Sequence, residues 1–162
     1  MNEILEEDLK EAIQIVIEKL EGVSELYPVQ IQLLSALVKQ DNVFFTSATN
    51  SGKTLPAVIF PKIVDELIKL GYELSPGRVL FITALNSIKL SMLSSLKDFG
   101  IECSALTSDN FEEVLASEVK VIFVSPECMK QPRITRCLLS HRKEFLLKII
   151  DEAHLGWFNI NT

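Results

Sequence analysis

The sequence has few cysteines and no long apolar run, and both absences limit what the protein can be. Its three cysteines, Cys103, Cys128 and Cys137, are odd in number and lack the spacing of metal ligands, so we expect reduced thiols rather than a disulfide framework. No apolar stretch reaches membrane-spanning length, and residues 1–8 are acidic where a signal peptide would be basic. We therefore expect an intracellular protein without a membrane partner, in the cytoplasm or the nucleus, the nucleus being favoured for a eukaryotic protein.

An excess of positive charge is also missing. The chain carries 16 basic and 22 acidic residues, a net charge of −6, and its pI is about 5.0. This balance argues against a broad basic face that grips nucleic acid. A local phosphate track made of loop amides and helix N-termini needs no net positive charge, and it stays open. What the chain does have is 162 residues with 48% hydrophobic content, enough for the core of one globular domain.

The apolar pattern predicts helices and short strands that alternate along the chain. The predicted helices cover residues 1–20, 28–38, 55–70, 87–99, 111–116 and 134–141. The predicted strands cover residues 43–45, 78–83, 101–106, 120–124 and 145–150. Strands that are apolar on both faces and alternate with helices are typical of a parallel sheet covered on both sides. The sequence therefore predicts an α/β fold.

A glycine turn follows the first predicted strand and opens a helix. Backbone N–H groups of such a turn, together with the positive end of the helix, can surround a triphosphate. Lys53 would reach the β- and γ-phosphates, and the Thr54 hydroxyl would bind Mg²⁺. The predicted nucleotide-binding residues of this turn are Thr49, Asn50, Ser51, Gly52, Lys53 and Thr54. The plain alternative is a turn that only caps the helix.

Two adjacent carboxylates, Asp151 and Glu152, directly follow the last predicted strand, where ligand sites of parallel sheets lie. Hydrolysis of a nucleoside triphosphate needs one carboxylate for Mg²⁺ and a second to orient and deprotonate the attacking water. We predict that Asp151 binds Mg²⁺ together with Thr54, and that Glu152 is the base; with Lys53 they form the catalytic set. Alone, such a pair is usually a solvated loop. The glycine turn earlier in the chain, also at the end of an apolar strand, favours the nucleotide site.

With these motifs and three shorter ones in order, the chain resembles the first RecA-like lobe of superfamily 2 helicases, and among those the RecQ family of ATP-dependent DNA helicases. The shorter motifs are Pro28-Val29-Gln30, Thr83-Ala84-Leu85-Asn86-Ser87-Ile88 and Val124-Ser125-Pro126-Glu127, similar to the Q motif, motif Ia and motif Ib. The resemblance runs from about Leu20 through the Asp151–His154 DEAH box. It implies a three-layer RecA-like P-loop domain with a mostly parallel sheet and helices on both faces.

The resemblance also implies roles for the shorter motifs. The Gln30 amide would read the adenine edge, Tyr27 could offer a ring beside it, and His154 would couple the nucleotide site to neighbouring lobes. Contacts to nucleic acid are implied for Ala84, Leu85, Asn86, Ser87, Ser125, Pro126 and Glu127. Each motif also has a plain alternative. Gln30 could be an exposed helix residue, and Ser125-Pro126 could simply start a helix, with Ser as its cap.

In the helicases that the chain resembles, two lobes close on ATP and Mg²⁺ while single-stranded or partly duplex DNA is bound. We expect residues 1–26 to form a helix and connector and residues 27–162 the ATP-binding lobe, truncated after the DEAH box. Because a second lobe supplies arginine fingers, which are worth about 10³–10⁵ in rate, we expect this chain alone to bind Mg-ATP weakly, hydrolyse little and unwind nothing. Two rivals stay open: an RNA-directed DEAD/DEAH-type helicase lobe, and a non-catalytic nucleotide-binding remnant that pairs with another helicase chain.

Overall fold

The computed structural model describes residues 3–39, 52, 54–84 and 90–150. The α-helices are Glu6–Glu18 (α1), Pro28–Val38 (α2), Thr54–Lys69 (α3), Leu90–Asp98 (α4), Phe111–Ala116 (α5), Pro126–Met129 (α6) and Pro132–Ser140 (α7), and Arg142–Glu144 form a short 3-10 helix. The strands are Arg78–Ile82 (β1), Cys103–Leu106 (β2), Val121–Val124 (β3) and Phe145–Ile150 (β4). The described residues up to 76, with 99–101, form one compact unit, and the other described residues form a second.

The first unit is helical, and α1 packs on α3 within it. Apolar residues of α1 at three- and four-residue spacing, among them Leu9, Ile13 and Val16, form its buried face. They meet a helix whose own Ile59 and Ile63 are fully buried. The predicted helix over residues 1–20 is thus confirmed with a shorter span.

The N-terminus of α1 is capped by a residue from far along the chain. Leu5 precedes the helix and has no side chain that could cap it. Its backbone N–H donates instead to the Tyr72 hydroxyl at 3.1 Å, and that hydroxyl donates in turn to the Asp8 carboxylate. The hydrogen bond to Asp8 raises the pKa of Tyr72, because deprotonation would break the bond and set two negative charges side by side. The Tyr72 hydroxyl thus links the N–H of Leu5 to the side chain of Asp8, three residues on, a connection that a capping box makes directly.

A nearly buried carboxylate also joins α1 to α3. Glu66 of α3 is 11% exposed, and its Oε1 accepts hydrogen bonds from Lys19 Nζ at 2.8 Å and Lys69 Nζ at 2.9 Å. The bond from Lys19, followed by that from Lys69, holds the pKa of Glu66 below its usual value despite burial. Two ammonium groups on one carboxylate make the pair of helices sensitive to acid.

Glu66→Gln is expected to lower the free energy of unfolding at neutral pH by about 1 kcal/mol, because both lysine partners stay largely exposed. A carboxyl group whose pKa is depressed by folding stabilises the protein above its unfolded pKa and stops doing so as the pH falls through its folded pKa. The substitution should therefore flatten the loss of stability below about pH 4. Urea unfolding across this range measures both effects. The exposed Glu73→Gln is the control, and equal effects of the two substitutions would contradict the assignment.

The second unit contains a four-stranded sheet in the order β2-β3-β1-β4, and all the described pairs are parallel. Every residue of β1 and β3 is buried, so apolar side chains fill both faces of the central strands. Helices α5 and α7 cover the face that carries Leu80 and Ile122. On the other face, the Cys103 thiol lies 3.8 Å from the Leu93 carbonyl of α4. The predicted α/β fold, with helices on both faces of a parallel sheet, is confirmed.

The parallel strands bring two of the predicted motifs to one edge of the sheet. Ile82 is in register with Val124 of β3 and with Ile150 of β4, so the three carboxyl ends are level. Thr83 extends β1 by one hydrogen bond, its N–H donating to the Val124 carbonyl at 3.0 Å. The carboxyl edge, meaning the ends of β1, β3 and β4, is where ligand sites of open parallel sheets form.

At the opposite edge of the sheet, where β1 begins, the buried side chain of Arg78 binds several backbone carbonyls. The Arg78 guanidinium, 8% exposed, donates to the carbonyls of Val119 at 2.7 Å, Leu115 at 2.9 Å and Val114 at 2.9 Å, and it lies 3.4 Å from the Glu144 carboxylate. Two of these carbonyls close the end of α5, where a helix leaves carbonyls without intrahelical partners. A polar cavity of about 390 Å³ borders this arginine.

Across the described ranges, no helix is both long and apolar enough to cross a membrane.

Candidate functional site

Helix α3 begins at Thr54, directly after the predicted phosphate-binding turn. Gly52 has φ +69°, in the left-handed region that glycine adopts without strain. Its carbonyl accepts the Leu55 N–H at 3.3 Å, which starts the helix, and the Gln30 amide at 2.9 Å. The first N–H groups of a helix have no intrahelical partner and point towards its N-terminus. The described end of the turn thus joins a left-handed glycine to a helix N-terminus.

Gln30 connects the Q-motif segment to this turn. Only 3% of the residue is exposed. Its Oε1 accepts the Tyr27 N–H at 2.8 Å, and its Nε2 donates to the Gly52 carbonyl at 2.9 Å. Both ends of the amide are therefore bonded to backbone, although an amide has a second N–H and a second lone pair. The predicted role of Gln30 in reading adenine did not include these two hydrogen bonds, which tether the amide to the backbone. The bond to Tyr27 could have been predicted, because Gln at the third position of a helix that starts with Pro28 is a capping pattern. The bond to Gly52 has no such local pattern.

A side chain on Gly52 would disrupt the tether. A Cβ atom placed there would lie 2.5 Å from Gln30 Nε2, closer than non-bonded atoms approach. The amide is buried and held at both ends, so it could retreat only by giving up its hydrogen bonds. Gly52 is thus required twice, for its backbone conformation and for the space that Gln30 occupies.

An exposed aromatic ring, that of Tyr27, lies at the start of α2. Tyr27, the residue before α2, is 65% exposed, and the neighbouring Val29 is 38% exposed. Large apolar groups on a surface mark binding sites when they cluster beside polar groups that fix orientation. Here the ring belongs to the residue whose N–H bonds Gln30, so an aromatic surface and the tethered amide adjoin each other.

At the carboxyl edge the motif Ib residues form a helix start. The Ser125 hydroxyl accepts the Cys128 N–H at 3.1 Å and caps α6, and Pro126 occupies its first turn. Ser125 is 0% exposed and Pro126 is buried, whereas Glu127 is exposed. The capping interpretation of Ser125-Pro126 is therefore confirmed. Ala84, half-buried, follows the neighbouring strand, so the ends of motif Ia and motif Ib lie on adjacent strands.

The remaining predicted site residues lie outside the described residues: Thr49, Asn50, Ser51, Lys53, Leu85, Asn86, Ser87, Asp151, Glu152 and His154. Their roles stay predictions. In the described part of the chain, no group of three or more His, Cys, Asp or Glu residues could hold a metal ion. The predicted Mg²⁺ site depends on Asp151, which lies outside the described residues.

Two of the three cysteines, Cys103 and Cys128, are buried. Burial raises the pKa of both thiols, which disfavours the reactive thiolate form. The Cys128 thiol lies 3.7 Å from the Leu106 carbonyl inside the core. All three cysteines are free, as the odd number predicted.

Sequence comparison adds the family. The family model described as type III restriction enzyme, res subunit, matches residues 5–159. The chain belongs to this family. Res-subunit domains have the RecA-like P-loop fold of superfamily 2 helicases, so the chain is a helicase-type lobe, and nucleotide and nucleic acid are its general ligand classes. A comparison with curated proteins gave no match.

The Res-subunit match covers every described element from α1 to β4, as well as the sequence positions of the glycine turn and of Asp151-Glu152. It thus includes the residues predicted to bind nucleotide and the two segments at the carboxyl edge. The Res-subunit family is a different grouping from the RecQ family, so the RecQ resemblance and the choice of DNA stay proposals.

Proposed function

We propose that residues 27–162 are the ATP-binding lobe of a RecQ-like, ATP-dependent DNA helicase. The observation that carries this proposal is the bonded start of α3, where the Gly52 carbonyl receives both Leu55 N–H and the Gln30 amide. It combines a left-handed glycine, a helix N-terminus and a Q-motif amide in one small region. A glycine turn leading into a helix N-terminus is a general solution for binding phosphate groups.

The donor types present fit Mg-ATP. The backbone of Thr49, Asn50 and Ser51 would line the phosphates, and Lys53 would place its charge on them. The Thr54 hydroxyl and the Asp151 carboxylate are oxygen ligands of the kind Mg²⁺ prefers. When bound, the metal ion neutralises charge on the triphosphate. Glu152 would deprotonate water, and His154 would link this region to neighbouring lobes.

Adenine would be bound at the start of α2. Tyr27 offers an exposed ring on which a base can stack. Gln30 would use the amide N–H and the lone pair that its backbone bonds leave over, so that base recognition and the position of the turn depend on one side chain. This dual use would transmit the presence of the base to the phosphate-binding turn.

DNA would lie along the carboxyl edge of the sheet. Residues 84–87 follow β1 and residues 125–127 follow β3, and these strands are hydrogen-bonded neighbours. Because Ser125 is buried, its contribution would be to fix the start of α6 so that the Glu127 N–H faces a phosphate, since Pro126 has no N–H and the Cys128 N–H is bonded to Ser125. Strand separation would need a second RecA-like lobe, in this chain's own continuation or in a partner, and this chain alone would turn ATP over slowly.

The proposal is tested by comparing alanine substitutions at two glycines that both have positive φ. Gly52→Ala should lower Mg-ATP affinity by about ten- to hundredfold, because it strains the backbone by about 1–2 kcal/mol and displaces the Gln30 amide, and 1.4 kcal/mol is a factor of ten. Gly71 has φ +99°, and a Cβ atom placed there would meet nothing within 4 Å, so Gly71→Ala carries the backbone strain alone. It should leave affinity unchanged.

Isothermal titration with Mg-ATP measures both variants, and urea unfolding checks that both are folded; Gly52→Ala should lose more stability than Gly71→Ala, because it also displaces the Gln30 amide. If Gly52→Ala binds Mg-ATP as tightly as Gly71→Ala does, the start of α3 is not a nucleotide site and the proposed function is wrong.

A further inference from the structure

A basic surface lies on the segment from α6 to β4, in a chain that is acidic overall. Between Glu127 and Glu144 the sequence contains no acidic residue, yet it holds five of the 16 Lys and Arg residues. These are Lys130, Arg133, Arg136, Arg142 and Lys143, and all five are exposed. We call them the α7 basic surface, since α7 is its centre. None of them belongs to the nucleotide site or to motifs Ia and Ib.

The surface is held in place by the core beneath it. Ile134 and Leu138, 1% and 7% exposed, anchor α7 in the same cluster as Phe111 of α5. At helical spacing Arg136 falls on the side opposite these two residues and so points to solvent. The ends of α7 are fixed as well: the Thr135 hydroxyl donates to the Met129 carbonyl, and His141 Nδ1 donates to the Cys137 carbonyl at 2.9 Å. Arg133 and Arg136 lie on α7, Lys130 follows α6, and Arg142 and Lys143 lie in the 3-10 helix after α7. A ligand would therefore meet cations on or beside short helices, with little ordering of backbone needed.

Nearby acidic residues lower the positive potential at one end of the α7 basic surface more than at the other. Arg133 lies over the Phe111 ring and 3.7 Å from Glu112 of α5, a pair exposed by 76% and 77%. Exposed pairs of this kind contribute little, but Glu112 and the exposed Glu113 lower the local potential beside Arg133. At the far end, Glu144 is directed to Arg78 at 3.4 Å. Arg136, Arg142 and Lys143 therefore carry most of the uncompensated charge.

The composition of the surface indicates which anion it fits. No Phe, Tyr or Trp occurs between residues 126 and 144. Proteins that hold single strands combine basic residues with aromatic platforms for the unstacked bases. Duplex DNA needs no platform, because it presents about one phosphate charge per 1.7 Å of axis with its bases already stacked. A basic surface on helical segments that contain no aromatic ring thus favours a duplex backbone over a single strand.

We propose that the α7 basic surface binds the phosphate backbone of duplex DNA, independently of sequence. This rests on the proposed helicase function and adds a second contact to it: the carboxyl edge takes the separated strand, and α7 takes the duplex that has not yet been opened. Net acidity elsewhere would repel DNA from other faces, so the surface would also fix the orientation in which the duplex approaches.

The test uses two triple variants with the same loss of charge in the full 162-residue chain. One is Arg136→Gln, Arg142→Gln and Lys143→Gln; the control is Lys10→Gln, Lys39→Gln and Lys97→Gln, at exposed positions outside the surface. Fluorescence anisotropy measures binding of a blunt duplex, and of its single strand, against salt concentration. The α7 triple should lose at least about tenfold in duplex affinity, and its salt slope should fall by about 2–3, near 0.9 for each phosphate contact. The control should change neither.

Single-strand affinity should fall less than duplex affinity in the α7 triple. Equal losses in the two triples, or on duplex and single strand, would overturn the proposal. So would a wild-type chain that fails to bind the duplex at low salt, or one that binds poly-glutamate as well as the duplex, which would indicate an acidic protein partner. Mg-ATP titration separates this from the proposed function: a wild-type chain that does not bind Mg-ATP contradicts the nucleotide site, whatever the duplex assay gives.

Discussion

Lys53→Ala is expected to lower the affinity of the chain for Mg-ATP by about a hundredfold. The lysine charge would be set against the phosphates, and a hydrogen bond to a charged group contributes about 1.5–3 kcal/mol, of which each 1.4 kcal/mol is a factor of ten. The helix that follows should form unchanged, since its first residue is Thr54 and its start is fixed by bonds to the Gly52 carbonyl. Titration calorimetry measures the affinity, and circular dichroism checks the fold. Lys97→Ala, at an exposed position on α4, is the matched lysine control.

Glu152→Gln separates binding from chemistry in the same assay. The amide keeps the shape of the side chain but is not a base, so Mg-ATP affinity should stay near the wild-type value. Single-turnover hydrolysis should fall by about 10²–10⁴, the usual contribution of general base catalysis. Retained Mg-ATP affinity in Lys53→Ala would show that the glycine turn is not a phosphate site. Unchanged hydrolysis in Glu152→Gln would remove that residue from the catalytic set.

Arg78→Ala should lower the free energy of unfolding by about 3–4 kcal/mol, a large share of the stability of a domain this size. The guanidinium satisfies carbonyls of Val114, Leu115 and Val119 with one planar group, and its removal would leave all three without that donor. The Val114 carbonyl would keep the Ser117 N–H and hydroxyl as donors, and water from the adjoining cavity can reach this region, so the loss stays below the sum of three orphaned groups. Urea unfolding with the midpoint and slope reported separately measures it.

Two further substitutions test whether the lost hydrogen bonds of Arg78 cause this loss of stability. Arg78→Lys keeps the charge, but a single ammonium lacks the forked geometry, so about half of the loss should remain. Arg133→Ala removes an arginine that is 76% exposed and should cost less than about 1 kcal/mol. If Arg78→Ala and Arg133→Ala destabilise the protein equally, the hydrogen bonds from Arg78 to the carbonyls of Val114 and Leu115 do not hold α5 to the sheet.

The strands were the most predictable part of the fold. Four of them were predicted within a residue or two, because runs such as Val121–Val124 are apolar at every position and only a strand buried on both faces tolerates that. Helix ends were less predictable. The first helix covers Glu6–Glu18 instead of the predicted residues 1–20, since an end depends on what the last turn packs against.

In the candidate site, too, local features could be predicted from the sequence and long-range contacts could not. The start of α3 after Gly52 could be predicted, because a glycine with positive φ before a helix is a local feature. The bond from Gln30 to Gly52, and the carbonyls that surround Arg78, could not. They join residues that are 22 and up to 41 positions apart, and no local pattern encodes which backbone group a polar side chain will reach. The plain alternative for Ser125 proved correct, since capping is decided within one turn.

The order of the strands has a consequence for how the protein is made. The central strand β1 pairs on both sides with strands that come later, and its first residue contacts Val119 and Glu144, 41 and 66 residues further along. While the chain leaves the ribosome, the four apolar residues that follow Arg78 in β1 must therefore wait for both partner strands until residue 150 has been synthesised. Distant pairings of this kind form slowly. During translation these residues are exposed apolar surface, which a chaperone would shield from aggregation.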